Sequence, residues 1–182
     1  QLPLFFPAGD YKGTLILGDS LPPAIVGAGM YATTIHHNGV SGIRRPNTAA
    51  AAEKLEIEGI GFNGYAESNP TVGGELNPIK IFKVSKLVVR NCYVFNGRNL
   101  AINADSCDKV TVTGCNVQQC LRDGINITNV NEVHIYGNRI HQIGDDPIAV
   151  HCNTNYQNSA GYLRAVVNIV GNLFTDTHGI KV

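Results

Sequence analysis

Asp123, Asp145 and Asp146 are the side chains in this sequence best placed to do chemistry. They lie in two matching segments, Arg122-Asp-Gly-Ile-Asn-Ile127 and Asp145-Asp-Pro-Ile-Ala-Val150, offset by 23 residues. If one repeat is one turn of a solenoid, Asp146 stands beside Asp123 on the next turn, roughly 4.8 Å away. Carboxyls that close, with Asp145 next in sequence, can supply the acid and the base that glycosidic bond cleavage needs. Crowded carboxyls share protons, which is the condition for one to act as acid while another acts as base. Asp-Gly is also a common turn unit whose carboxylate bonds its own backbone, so turn chemistry is the competing reading. Asp145 and Asp146 are consecutive and would face opposite ways in a regular strand. Both reach one cleft only if the chain bends there, and Pro147 can fix such a bend.

Other residues could line such a cleft. Arg122 can pair with the carboxylate of an acidic sugar, but it also precedes Asp145 by 23 residues, the spacing of an ion pair between turns. His141 and His151 flank the aspartates. The chain has no Trp, so the aromatic platforms common at sugar sites would have to come from Tyr65, Tyr156 and Tyr162. His36 and His37 fall at a strand end or loop with no visible partners for a metal. No metal site and no cofactor is expected. The five cysteines form no C-x-x-C pair. Cys92 and Cys115 are 23 apart and stack on neighbouring turns, either as buried thiols or as a disulfide.

These residues need a scaffold that repeats. Leu55-Glu-Ile-Glu-Gly59, Leu87-Val-Val-Arg-Asn91, Val110-Thr-Val-Thr-Gly114, Val133-His-Ile-Tyr-Gly137 and Val167-Asn-Ile-Val-Gly171 share one pattern. Each alternates apolar and variable residues and ends in a turn residue, which marks a short half-buried strand. A further apolar residue follows each start by seven positions (Phe62, Val94, Val117, Ile140, Phe174), and then a second strand such as Ile102/Ala104 or Ile125/Ile127. A period near 23 with short strands and no helical pattern predicts an all-β, right-handed parallel β-helix. Residues 51–182 form its regular coils and 1–50 less regular first coils, in a single domain. Insertions near 64–77 and 153–163 explain the longer spacings between starts. The column Ile60, Cys92, Cys115, Asn138, Asn172 ends in two asparagines that read as a ladder bonding the backbone at a bend.

Composition narrows the function. The formal net charge is zero, which removes electrostatic grounds for a nucleic-acid partner. No apolar run approaches the roughly 20 residues that span a bilayer. The chain starts without Met, shows no signal peptide and stops in mid-pattern, so it reads as a piece of a longer protein.

Phe6-Pro-Ala-Gly-Asp-Tyr11 and Val26-Gly-Ala-Gly-Met-Tyr-Ala-Thr-Thr-Ile35 resemble the opening of the pectate-lyase-like superfamily. Leu121-Arg-Asp123-Gly, Gly144-Asp-Asp146 and Thr177-His-Gly179 are similar to motifs on successive turns of polygalacturonases, which are inverting glycoside hydrolases. The resemblance implies Asp145 as general acid, Asp123 and Asp146 as holders of the water, and His178 as a supporting histidine. The departures are plain: Leu-Arg stands where the family has Asn-Thr, and Pro147 where it has Cys. The opening motif, Asn-rich turns and absent signal peptide also resemble phage tailspike depolymerases, which implies a polysaccharide partner, a homotrimer, and an extracellular or virion-surface setting. A polysaccharide lyase, with Ca2+ on the aspartates, and a non-catalytic receptor-binding fibre or adhesin are the alternatives on the same fold.

Overall fold

The computed structural model describes residues 1–66, 76–151 and 166–177, and the backbone of 180–181. The chain winds through successive coils of three short strands. The first two coils are β1 (Leu4–Phe6), β2 (Gly9–Lys12), β3 (Leu15–Ile16), then β4 (Ala24–Gly27), β5 (Thr33–His36), β6 (Ile43–Arg45). The third and fourth are β7 (Ala52–Glu58), β8 (Gly61–Asn63), β9 (Ile79–Phe82), then β10 (Val84–Arg90), β11 (Tyr93–Phe95), β12 (Ile102–Asp105). The fifth and sixth are β13 (Lys109–Thr113), β14 (Asn116–Cys120), β15 (Ile125–Thr128), then β16 (Glu132–Tyr136), β17 (Arg139–Ile143), β18 (Ile148–His151). The last holds β19 (Val166–Val170), β20 (Leu173–Thr175) and β21 (Ile180–Lys181). Like strands of each coil pair in parallel, giving three 7-stranded sheets: sheet A begins with β1, sheet B with β2 and sheet C with β3. The expected right-handed parallel β-helix is what forms.

Register follows the apolar alternation. Leu55, Leu87, Val110, Val133 and Val167 are successive partners in sheet A. The longer spacings across 64–77 and 153–163 therefore leave the ladder unshifted. The first insertion leaves the corner between sheets B and C, the second the corner between C and A. Inward residues such as Val110, Val112, Val117, Ile125 and Ile127 are fully buried, while Thr111 and Thr113 between them face outward. Residues 1–50 are more regular than their sequence suggests: Leu4 pairs with Ile25, Asp10 with Thr34 and Leu15 with Ile43. Thr33 ties these coils together, its Oγ1 accepting from Ala28 N at 2.9 Å and donating to Pro7 O at 3.0 Å. That is the physical content of the opening motif.

Each corner repeats one backbone conformation. After sheet A, Gly59, Asn91, Gly114, Gly137 and Gly171 are left-handed, with φ of 66, 51, 62, 66 and 64°. At the end of sheet B the column is Asn96, Gln119, Gln142 and Asp176, with φ of 54, 55, 51 and 52°, Gln119 and Gln142 being the penultimate residues of β14 and β17. After sheet C it is Lys83, Ser106 and Asn129, with φ of 54, 54 and 55°. A left-handed non-glycine residue costs roughly 1–2 kcal/mol, and inter-coil hydrogen bonds offset it. Arg45, fully buried, closes one such corner: Nη1 donates to Phe82 O at 2.6 Å and Lys83 O at 3.2 Å, and Nη2 to Ala50 O.

The asparagine ladder forms as expected. Asn138 Oδ1 accepts from Cys115 N at 2.9 Å, and its Nδ2 donates to Val112 O at 3.0 Å. Asn172 repeats the pattern towards Asn138 N and Ile135 O. Cys92 and Cys115 occupy the same column as buried free thiols, their Sγ atoms pointing to Ile57 O and Val89 O. Burial pushes the Cys92 thiol well above its ordinary value and the Cys120 thiol up to about 12. Among the described residues no helix is long and apolar enough to cross a membrane.

Candidate functional site

The three aspartates meet where sheet B turns into sheet C. Residues 121–124 and 144–147 make the same bend on neighbouring coils, and the backbones bond directly across: Gly124 N donates to Asp146 O and Ile125 N to Pro147 O, both at 3.0 Å. Two glycines permit this approach. A Cβ on Gly124 would lie 2.6 Å from Pro147 O, and one on Gly144 2.5 Å from Leu121 O. Glycine is needed here for contact between coils, since neither residue has positive φ. The bend at 144–147 removes the strand alternation that would have sent Asp145 and Asp146 to opposite faces.

The result is a compact trio. One carboxylate oxygen from each of Asp123, Asp145 and Asp146 lies within 4.8 Å of the others. Asp123 is buried and its Oδ2 accepts from Asn126 Nδ2 at 2.8 Å, which fixes its orientation. Asn126 is itself buried on sheet C, beside Ala149. Asp146 is half-buried and Asp145 exposed. Arg122 Nε stands 3.7 Å from Asp145 Oδ2, both side chains half exposed, so the ion pair between turns is present. A pair this exposed is worth about 0–1 kcal/mol. The trio can transfer a proton and hold a water, and its oxygens also span a distance that suits one divalent cation.

A groove of about 530 Å³ passes over Asn96, Gln119, Leu121, Gln142, Gly144 and Asp176. Leu121 and Gly144 immediately precede Arg122 and Asp145 in the chain, and none of the three aspartates is among the lining residues. The other expected residues are placed differently. His151 pairs with Thr128 at the far end of β18, on the order of 15 Å along the strand from Asp146. His141 faces out of sheet B, its Nδ1 2.7 Å from Thr175 Oγ1 and 3.5 Å from Asp176 Oδ2, the latter a lining residue of the groove. His178, Tyr156 and Tyr162 lie outside the described residues.

Two features escaped the sequence reading. Tyr31, Tyr93 and Phe95 cluster on the outer face of sheet B, with ring centroids 5.1 Å apart for Tyr31–Tyr93 and 4.7 Å for the stacked pair Tyr93–Phe95. The alternation Tyr-Val-Phe in β11 was the available signal. Asp10, His36 and Tyr65, far apart in sequence, join in one hydrogen-bonded chain; only the three-dimensional register brings them together.

A family model described as a right handed beta helix region matches residues 26–182. No curated protein and no solved structure matches the chain. The match covers most of the sequence and agrees with the three parallel sheets, and the protein belongs to the right-handed β-helix family.

Proposed function

We propose that the protein acts on polysaccharide as a glycoside hydrolase, with Asp123, Asp145 and Asp146 as its catalytic carboxyls. The observation that carries this reading is the convergence of three carboxylate oxygens within 4.8 Å at the bend between sheets B and C. Asp123, buried and oriented by Asn126, and the half-buried Asp146 suit the holding of a water. Two hydrogen bonds of about 2.7–2.8 Å reach from one water to oxygens so spaced. Asp145, exposed and adjacent to the groove, suits protonation of the leaving oxygen. His178 would support the trio by the polygalacturonase resemblance. Arg122, with Tyr156 and Tyr162 of the second insertion, would contact the sugar at the trio, His151 only a longer chain that reaches the far end of β18, and the setting would be extracellular or virion-surface, as a trimer.

The spacing bears on stereochemistry. Acid and base carboxyls stand about 6.5–9.5 Å apart in inverting enzymes and about 5–5.5 Å apart in retaining ones, whereas the 4.8 Å here is measured between single oxygens of the three carboxylates.

Asp145→Asn should abolish release of reducing sugar from a panel of acidic polysaccharides while leaving the circular dichroism spectrum unchanged. Undiminished cleavage by this variant overturns the acid assignment. Glycan binding without product by the unaltered protein replaces the hydrolase with an adhesin. A lyase is the second reading, favoured by the fit of the same oxygens to a Ca2+, whose oxygen ligands stand at about 2.3–2.6 Å. Unsaturated, ultraviolet-absorbing products lost on chelation would establish it.

A further inference from the structure

Three asparagines in this chain precede glycine: Asn38, Asn63 and Asn96. In an Asn-Gly pair the side-chain amide is open to attack by the backbone that follows, because no Cβ on the glycine stands in the way of its nitrogen. The reaction closes a cyclic imide. A bond forms from the glycine N to the asparagine Cγ, the Cγ–Nδ2 bond breaks, and the glycine proton leaves with Nδ2 as ammonia. Water then opens the imide at either carbonyl, giving aspartate or isoaspartate. The step needs a glycine N–H that is not engaged elsewhere, a side-chain nitrogen that can depart, and a backbone with room to turn.

The fold withholds these from two of the three sites. Asn63 ends β8 and is buried, its Oδ1 accepting from Tyr65 N at 3.0 Å and from Asn96 Nδ2 at 3.4 Å. Gly64 N donates to Phe95 O on the next coil at 3.2 Å, so the attacking nitrogen is occupied. Asn96 is buried and left-handed, and its departing nitrogen is the one that bonds Asn63. Gly97 is wedged against the next coil: a Cβ there would lie 2.7 Å from Cys120 Sγ, and its carbonyl accepts from Leu121 N at 2.9 Å.

Asn38 is the opposite case. It follows β5 and the inward His37, in a bend over 38–40 whose three residues are exposed. Gly39 has φ of 82°, and a Cβ on it would meet nothing within 4 Å. Among the described residues Gly39 N donates to no backbone carbonyl. The Asn38 side chain is held at its oxygen, where Arg98 Nη1 donates to Oδ1 at 3.3 Å. Arg98 is buried, two coils on, and its charge falls on the atom that turns negative as Gly39 N adds to Cγ.

We propose that Asn38 is a self-modification site, converting through the imide with Gly39 to aspartate and isoaspartate in the folded protein, while Asn63 and Asn96 stay intact. In the aspartate product a carboxylate replaces the amide that faces Arg98. A neutral hydrogen bond between the second and fourth coils thereby becomes an ion pair, and the net charge falls from zero by one. The inference does not rest on the hydrolase reading, since none of its residues belongs to the aspartate trio.

Peptide mass spectrometry after incubation in mildly alkaline buffer reads the three sites separately, with chromatography resolving aspartate from isoaspartate. In the folded protein Asn38 should convert at least tenfold faster than Asn63 and Asn96. In urea above the unfolding midpoint the three rates should converge, because all three share the Asn-Gly sequence. Native rates that are equal, or slowest at Asn38, would overturn the proposal. Gly39→Ala should slow Asn38 at least tenfold, and an unchanged rate would exclude the imide route. Arg98→Gln should slow Asn38 severalfold, and an unchanged rate would remove Arg98 from the reaction. Asn63 and Asn96 report on the fold in each variant, since loosening would speed them. Asp145→Asn should leave all three rates as they are, so this proposal and the hydrolase reading fail separately.

Discussion

His37 shows how much one buried side chain can couple this fold to pH. It is 1% exposed, and its Nδ1 lies 2.9 Å from Val40 O, to which the neutral ring donates. Burial pulls its pKa from 6.5 down to about 4, although the bond to Val40 pushes the other way. Above pH 6.5 the ring is neutral in both folded and unfolded chains. Below that the unfolded chain takes up a proton that the folded one refuses until about pH 4. Stability present above pH 6.5 is therefore lost as pH falls through this window, by up to about 3 kcal/mol. Thermal melts from pH 7 to 4 should show a falling Tm, and His37→Gln should flatten that slope. Retention of the full slope in the variant would assign it to other groups. The sequence offered little warning: His36 and His37 are adjacent, yet strand alternation sends the first outward to Asp10 and Tyr65 and the second inward. Asp123 was more legible, because its offset of 23 from Asp146 is the pairing register itself, as Ile125 and Ile148 confirm.

At the scale of elements, the ladder column does what corner glycines cannot: it satisfies backbone groups inside the barrel. Asn138→Leu would leave Cys115 N–H and Val112 O buried without their side-chain partner. Each such group costs about 1–3 kcal/mol, so a loss of about 3 kcal/mol is expected in denaturant unfolding. A loss under about 1 kcal/mol would mean that the ladder is replaceable. Strands and ladder were readable because apolar alternation and Asn stacking leave a mark on residue type. The left-handed corners were readable only after sheet A, where Gly59, Gly114, Gly137 and Gly171 stand. Gln119, Gln142 and Lys83 adopt the same conformation with no such mark, because the coil above and below imposes it. The outward rings of Tyr93 and Phe95 were missed for a similar reason: a three-residue strand gives too short an alternation to tell which face carries a surface cluster.

For the whole molecule, the repeat makes length a discrete variable. Residues 87–109 span one full period, from Leu87, whose partner is Val110, to Lys109, whose partner is Lys86. Their excision should give a shorter solenoid with the same β spectrum and cooperative unfolding. Excision of 87–108, one residue fewer, moves every following side chain to the wrong face and should abolish folding. Equal behaviour of the two variants in circular dichroism would refute coil-by-coil specification. The chain's overall architecture was legible because a solenoid repeats its pattern; the groove over Gln119 and Gln142 was not, since it is assembled from residues of several coils. The shared corner conformation has a metric consequence. Coils of one shape stack at one pitch, so the distance between the aspartates and the His36–Tyr65 pair can change only in steps of about 4.8 Å. The solenoid is thus a ruler with fixed graduations, and a ligand spanning several coils would be selected by its length before its chemistry.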